Sequence, residues 1–190
     1  MTMFRRLLPV LAAGTLVATG CGYNTIQTKD EAVNAAASQI KTQLQRRADL
    51  IPNLVETVKG FAKQETTIFI RVAEARSRLN TAVQGGNLQE MAAANAALNA
   101  PLGRLLATVE NYPELKSNQN FLQLQDQLEG TENRISVARQ DYNRSVEDFN
   151  AYIRRFPYNL TAKITGHGKP REYFELTSPG AAEAPKVKFP

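Results

Sequence analysis

The residues of this chain whose types could support chemistry are a few carboxylates, a histidine and a cysteine. Glu56, Glu65, Glu129 and Glu132 are the kind of side chains that pair as acid and base in glycoside hydrolysis or line a di-metal centre. A carboxylate di-metal bundle uses Glu-x-x-His repeats, which this sequence lacks, so these charges read more simply as a solvated helix face. His167 is the one histidine and stands between Gly166 and Gly168. With no cysteine or second histidine beside it, it reads as an exposed loop residue and not as a zinc ligand. No Gly-rich phosphate loop follows a strand pattern, and no serine stands in a nucleophile-elbow setting. The sequence therefore assigns no catalytic residue, no metal and no cofactor, and shows no small-molecule substrate.

Cys21, the one cysteine among 190 residues, leaves no internal disulfide to form. It follows Arg5-Arg6, an apolar run from Leu7 to Val17, and the small residues Ala18-Thr19-Gly20. That order is a basic n-region, a short h-region and a small-residue cleavage site, so residues 1–20 are expected to be a signal peptide. A helix from Leu7 to Gly20 would span about 21 Å, short of the ~30 Å hydrocarbon core. The run Val17-Ala18-Thr19-Gly20-Cys21 resembles the lipobox of bacterial lipoproteins, with Ala18 where leucine is usual. The resemblance implies a diacylglyceryl thioether on Cys21, palmitate-type acylation, and cleavage that leaves Cys21 first. The expected partner is then the lipid bilayer, through acylated Cys21. The helical part would sit in the periplasm of a bacterial cell envelope, and by resemblance to enteric lipoprotein sorting Gly22 in place of Asp slightly favours the outer membrane.

Elsewhere no stretch of eighteen or more apolar residues occurs, which argues against a spanning helix. Hydrophobic content of 43% supports a core. Removing Arg5 and Arg6 from 23 basic residues leaves 21 against 18 acidic, a balance of +3. Those charges are scattered, so no nucleic-acid partner is expected.

The elements that would position these residues are helices. Apolar or small side chains recur every three or four residues through Val33, Ala37, Ile40, Leu44, Ala48, Ile51, Val55, Val58 and Ala62, then Phe69, Val72, Leu79 and Val83. This is the seam of a coiled-coil-like helix. Glu65 and Arg76 interrupt it; each needs a partner on another helix or reaches the bundle edge, which their long side chains favour. Gly85-Gly86-Asn87 predicts a turn. A second seam runs Leu88, Met91, Asn95, Leu98, Leu102, Leu105, Val109 and Tyr112, with a bend or break expected at Pro101. Ser117 or Asn118 can cap a third helix whose seam extends from Phe121 to Phe156, broken at Thr131 and closed by Pro157. The fold class is all-α: an elongated antiparallel bundle of three to four long helices, with an irregular C-terminal tail. The expected organisation is a lipidated tether over 21–29, the bundle over 30–157, and an extended Pro/Gly-containing tail over 158–190.

The block from Leu44 to Ala62, LQRRADLIPNLVETVKGFA, resembles the signature of the LemA family. The likeness continues through Ala73–Arg76, Glu110–Lys116, Leu122–Ile135, Tyr142-Asn143 and Pro185–Phe189. It implies N-terminal membrane attachment and a bundle of four antiparallel helices, without an established molecular function. Family members are often encoded near a metallopeptidase or another membrane-associated protein. Many relatives keep a spanning segment where this chain has its lipobox.

Within the signature, Arg46, Arg47, Asp49 and Asn53 form a dense polar patch where Pro52 perturbs the helix. On a helix Arg46 and Asn53 share a face two turns apart, while Arg47 and Asp49 point elsewhere. The structural reading makes Pro52 the first turn of a new helix with solvated arginines; the functional one makes the four residues a candidate partner-binding patch. An unbroken helix from Asp30 to Gln84 would be roughly 80 Å long, so a kink is expected near Pro52. The function expected is a non-catalytic interaction or scaffold module tethered in the envelope, with an envelope protein as partner. The alternative is an accessory subunit of an envelope peptidase or protein quality-control system, which rests on family analogy.

Overall fold

The structure is a computed structural model that describes residues 22–174. Cys21, the leader before it and the tail beyond Phe174 lie outside the described residues. Those residues form six helices and no strand: α1 (Tyr23–Phe61), α2 (Thr66–Gly85), α3 (Leu88–Val109), α4 (Pro113–Lys116), α5 (Gln119–Arg154) and α6 (Tyr158–Ile164). The count exceeds the expected three to four because α4 and α6 are short, of 4 and 7 residues.

The apolar seams are largely the buried faces, but the third ends sooner than expected: α5 stops at Arg154, and Phe156 beyond it is exposed. Ile40, Leu44, Ala48, Ile51 and Val58 of α1 are fully or almost fully covered, as are Leu79 of α2, Leu98 and Leu105 of α3, and Ile135 and Val146 of α5. Burying each such large aliphatic side chain contributes roughly 1.5–3 kcal/mol, more than helix propensity supplies. The interruption at Thr131 is also buried; its hydroxyl donates to the Gln127 carbonyl one turn back, 2.7 Å away.

Helix ends follow local chemistry. Gly86 closes α2 at φ +74°, a left-handed cap that glycine adopts without a Cβ penalty, and its N–H donates to Ala82 O. Asn87 then caps α3, its Oδ1 accepting from the N–H groups of Gln89 and Glu90. Asn118, and not Ser117, caps α5 in the same manner through Asn120 and Phe121.

Four expectations change. First, Pro52 does not begin a new helix: α1 is continuous through it, and the interruption that helix length demanded falls at residues 62–65. Glu65, which breaks the seam, stands at the N-cap of α2. Second, residues 23–29 are not a tether: they are the first turns of α1, and Ile26 there is completely buried. Third, the region after Pro157 is not irregular from its start but opens with α6. Pro101, likewise, lies inside a continuous α3.

The described chain divides into two compact units. One combines residues 22–36 with Asp141–Tyr173; the other takes Ala37–Gln140 with Phe174. In the second, α2 packs on α3, and α3 on α4. In the first, Asn150 fixes the segment after α6: its amide donates to Arg171 O at 2.9 Å and its Oδ1 accepts from Arg171 N at 2.8 Å. Tyr142 adds a hydrogen bond from its hydroxyl to Glu172 O, and the Arg171 guanidinium grips Asp30 Oδ1 at 2.7 Å.

Candidate partner-binding site

Four turns of α1, from Lys41 to Asn53, carry the polar signature. Arg46, Asp49 and Asn53 follow a spacing of three and four, which puts them on one helical face. Together with Lys41 and Leu50 of the same helix and Val83 of α2 they line an open groove of about 680 Å³. Asp49 therefore joins Arg46 and Asn53, which corrects the expectation that it points elsewhere: three residues after Arg46 and four before Asn53, it shares their face. Its Oδ1 accepts a hydrogen bond from Gln45 Nε2 at 2.9 Å, which orients the carboxylate. Lys41 and Arg46 are exposed and, among the described residues, neither is in an ion pair.

Arg47 does not belong to that surface. It is 7% exposed and points among α1, α3 and α5. Its Nη1 donates to Asn95 Oδ1, its Nη2 to Asn99 Oδ1 at 2.9 Å, and Nη1 lies 2.7 Å from Glu132 Oε2. The contact with Glu132 is an ion pair whose geometry is not that of a well-aligned hydrogen bond, and Arg47 Nε has no hydrogen-bond partner. Burial lowers the pKa of Arg47, and Glu132 opposes that shift; burial likewise lowers that of Arg139, again opposed by Glu132. Guanidinium pKa values start so high that both groups stay charged at neutral pH. Sequence reasoning missed Asn95, Asn99 and Glu132 as Arg47's partners. The signal available was Asn95, a polar residue in the otherwise apolar seam of α3.

The remaining sequence candidates disperse. Glu56 pairs with Lys59 on the surface of α1 at 2.9 Å, Glu129 accepts from Gln125, and Glu132 serves Arg47. Among the described residues no group of three His, Cys, Asp or Glu side chains is placed to hold a metal. His167 is half-buried, not fully exposed: its backbone N–H donates to Ala162 O at 2.8 Å, and its ring nitrogens lie near Thr165 and Gln27. No helix of the described residues is long and apolar enough to cross a membrane.

Cys21 itself lies outside the described residues, but its bonded neighbour is well placed. Gly22 has φ +65°, and a Cβ added there would collide with the Tyr152 hydroxyl and the Tyr158 ring. Those two rings stack, with centroids 4.5 Å apart.

Comparison with known proteins adds what the geometry alone does not. The chain is 30% identical to magnetosome protein MamQ 2 of Paramagnetospirillum magneticum over 80% of its own length and 64% of that protein's. It is 29% identical to magnetosome protein MamQ of Magnetospirillum gryphiswaldense with the same two coverages. Against protein LemA of Metamycoplasma hominis it is 23% identical over 74% of this chain and 63% of the other. The chain thus spans less than two thirds of the length of these relatives. Residues 36–189, which include the groove, the Arg47 cluster and all of α2 to α6, match the LemA family, and the chain belongs to that family.

Proposed function

We propose that this chain is a cell-envelope lipoprotein, anchored through acylated Cys21, whose antiparallel helical bundle is a non-catalytic docking module for an envelope protein. The observation that carries the docking role is the division of labour along one stretch of α1. Arg47 is committed to holding helices together, while Lys41, Arg46, Asp49 and Asn53 are left on an open groove that apolar Leu50 and Val83 also line. Unpaired cations beside apolar surface suit a partner segment that offers carboxylates and one or two apolar side chains. The magnetosome belongs to the relatives' names; for this chain, its own basic-apolar leader and Cys21 support membrane attachment.

The test places a photo-crosslinking residue at Asn53, in the groove, and separately at Arg134, exposed elsewhere on α5. Adducts expected from the first position and not the second should disappear when Lys41→Glu/Arg46→Glu is added. Adducts that survive the charge reversal, or that form equally from Arg134, would count against the groove. Mass spectrometry of the purified N-terminus tests the anchor separately, since an unmodified Cys21 removes it.

A further inference from the structure

The first unit carries a run of exposed large apolar side chains that its own fold does not use. Phe156 is 80% exposed, Leu160 53% and Ile164 85%. Leu160 and Ile164 lie one turn apart on α6, opposite its buried Ala162. Arg154, Arg155 and Lys163 are interleaved with them and exposed. From Phe149 to Arg171 the sequence has five Arg or Lys residues and no Asp or Glu. An apolar patch of this kind, rimmed by long cationic side chains, is costly to leave in water.

Gly22 is packed against Tyr152 and Tyr158, the residues that flank Phe156 in the chain, and the residue bonded to Gly22 is Cys21. We propose that Phe156, Leu160 and Ile164 form a membrane-seating surface. They enter the headgroup and upper acyl region of an anionic bilayer, and Arg154, Arg155 and Lys163 pair with its phosphates. Amphipathic helices with this alternation lie in the interface plane, and arginine and lysine stems reach past apolar neighbours to the headgroups. The inference rests on the reading of Cys21 as an acyl anchor for its orientation. An anchor alone would leave the helical part free to swing; a second, weaker contact beside it restrains the first unit against the lipid.

The chain contains no tryptophan, so single reporters are clean. Phe156→Trp and, as a control on α5 in the other unit, Val137→Trp are made in the full protein purified from membranes. Each is reconstituted into vesicles of phosphatidylethanolamine and phosphatidylglycerol with brominated acyl chains. Quenching several-fold stronger for Phe156→Trp than for Val137→Trp is expected, and it should fall when Arg155→Glu/Lys163→Glu is added. Equal quenching of the two reporters, or none, overturns the proposal, as does a blue-shifted but unquenched Phe156→Trp emission, which would signal a protein neighbour. Quenching indifferent to the charge reversal overturns the role of the cations. The mass of the same samples separates the two readings: acylated Cys21 without quenching defeats the seating surface alone, and quenching without acylation defeats the anchor alone.

Discussion

Arg76 Nε lies 2.8 Å from the carbonyl oxygen of Ala48, the oxygen that Pro52 leaves without its intrahelical donor. Residue 52 would ordinarily donate to residue 48, and proline has no N–H. Ala48 is completely buried, so water cannot serve instead, and an unmet carbonyl there would be costly. A side chain from α2 thus lets α1 continue through its proline. The sequence showed Arg76 only as a defect in an apolar seam.

That relationship predicts strong coupling between the two positions. Arg76→Met should destabilise by about 1–3 kcal/mol, the cost of orphaning a buried acceptor. In a Pro52→Ala background the backbone N–H returns, and the same change should cost less than about 1 kcal/mol. Urea unfolding of the four proteins in the cycle measures this; additive effects would show that Arg76 does not serve the proline's carbonyl.

Gly22 offers a sharper steric test. Alanine there meets both an unfavourable positive φ and the Tyr152–Tyr158 stack, so Gly22→Ala should lower stability by at least about 2 kcal/mol. Tyr152→Phe removes the colliding hydroxyl and should recover part of that loss, though the Tyr158 ring remains. Thermal melts followed by circular dichroism decide; a Gly22→Ala melt matching the parent would mean that Tyr152 and Tyr158 yield at little cost.

How much of this was readable beforehand divides by the reach of the interactions. Helical class followed from spacing alone, because the series through Ile40, Leu44, Ala48 and Ile51 is the buried face. Asn118 and Gly86 act at their helix ends through contacts within a few residues, so they too were legible. The break after Phe61 was not, because Pro52 is the stronger breaker by residue type, and only packing brings Arg76 to the carbonyl it orphans. Helix α6 is too short for periodicity to reveal. The signature's arginines were recognisable as a patch, yet adjacent residues on a helix point about 100° apart, and only packing shows that Arg47 goes inward while Arg46 stays out.

Those two arginines should therefore behave oppositely. Arg47→Ala strips Asn95, Asn99 and Glu132 of their shared partner. Because Glu132 is partly solvated, the loss should be about 2 kcal/mol, below that of a fully buried pair. Arg46→Glu should stay within about 0.5 kcal/mol of the parent while abolishing groove-dependent adducts. Denaturant midpoints and crosslinking on the same preparations check both halves. Equal destabilisation by the two changes would refute the division between scaffold and surface.

The last prediction concerns alkaline pH. Burial raises the Tyr142 phenol above the ordinary tyrosine range; nearby Arg171 opposes this and Glu172 reinforces it. The folded protein then holds this proton more tightly than the unfolded chain does. Stability from the group is complete below the unfolded pKa of about 10 and is lost as pH rises through that value toward the folded one. Phenolate formation would also break the hydrogen bond that Tyr142 donates to Glu172 O at 2.9 Å. Tyr142→Phe should accordingly cost about 1 kcal/mol near neutrality and flatten the decline in urea midpoint between about pH 9 and pH 11. If the parent and variant fall in parallel across that window, the alkaline loss originates elsewhere and Tyr142 is not its source.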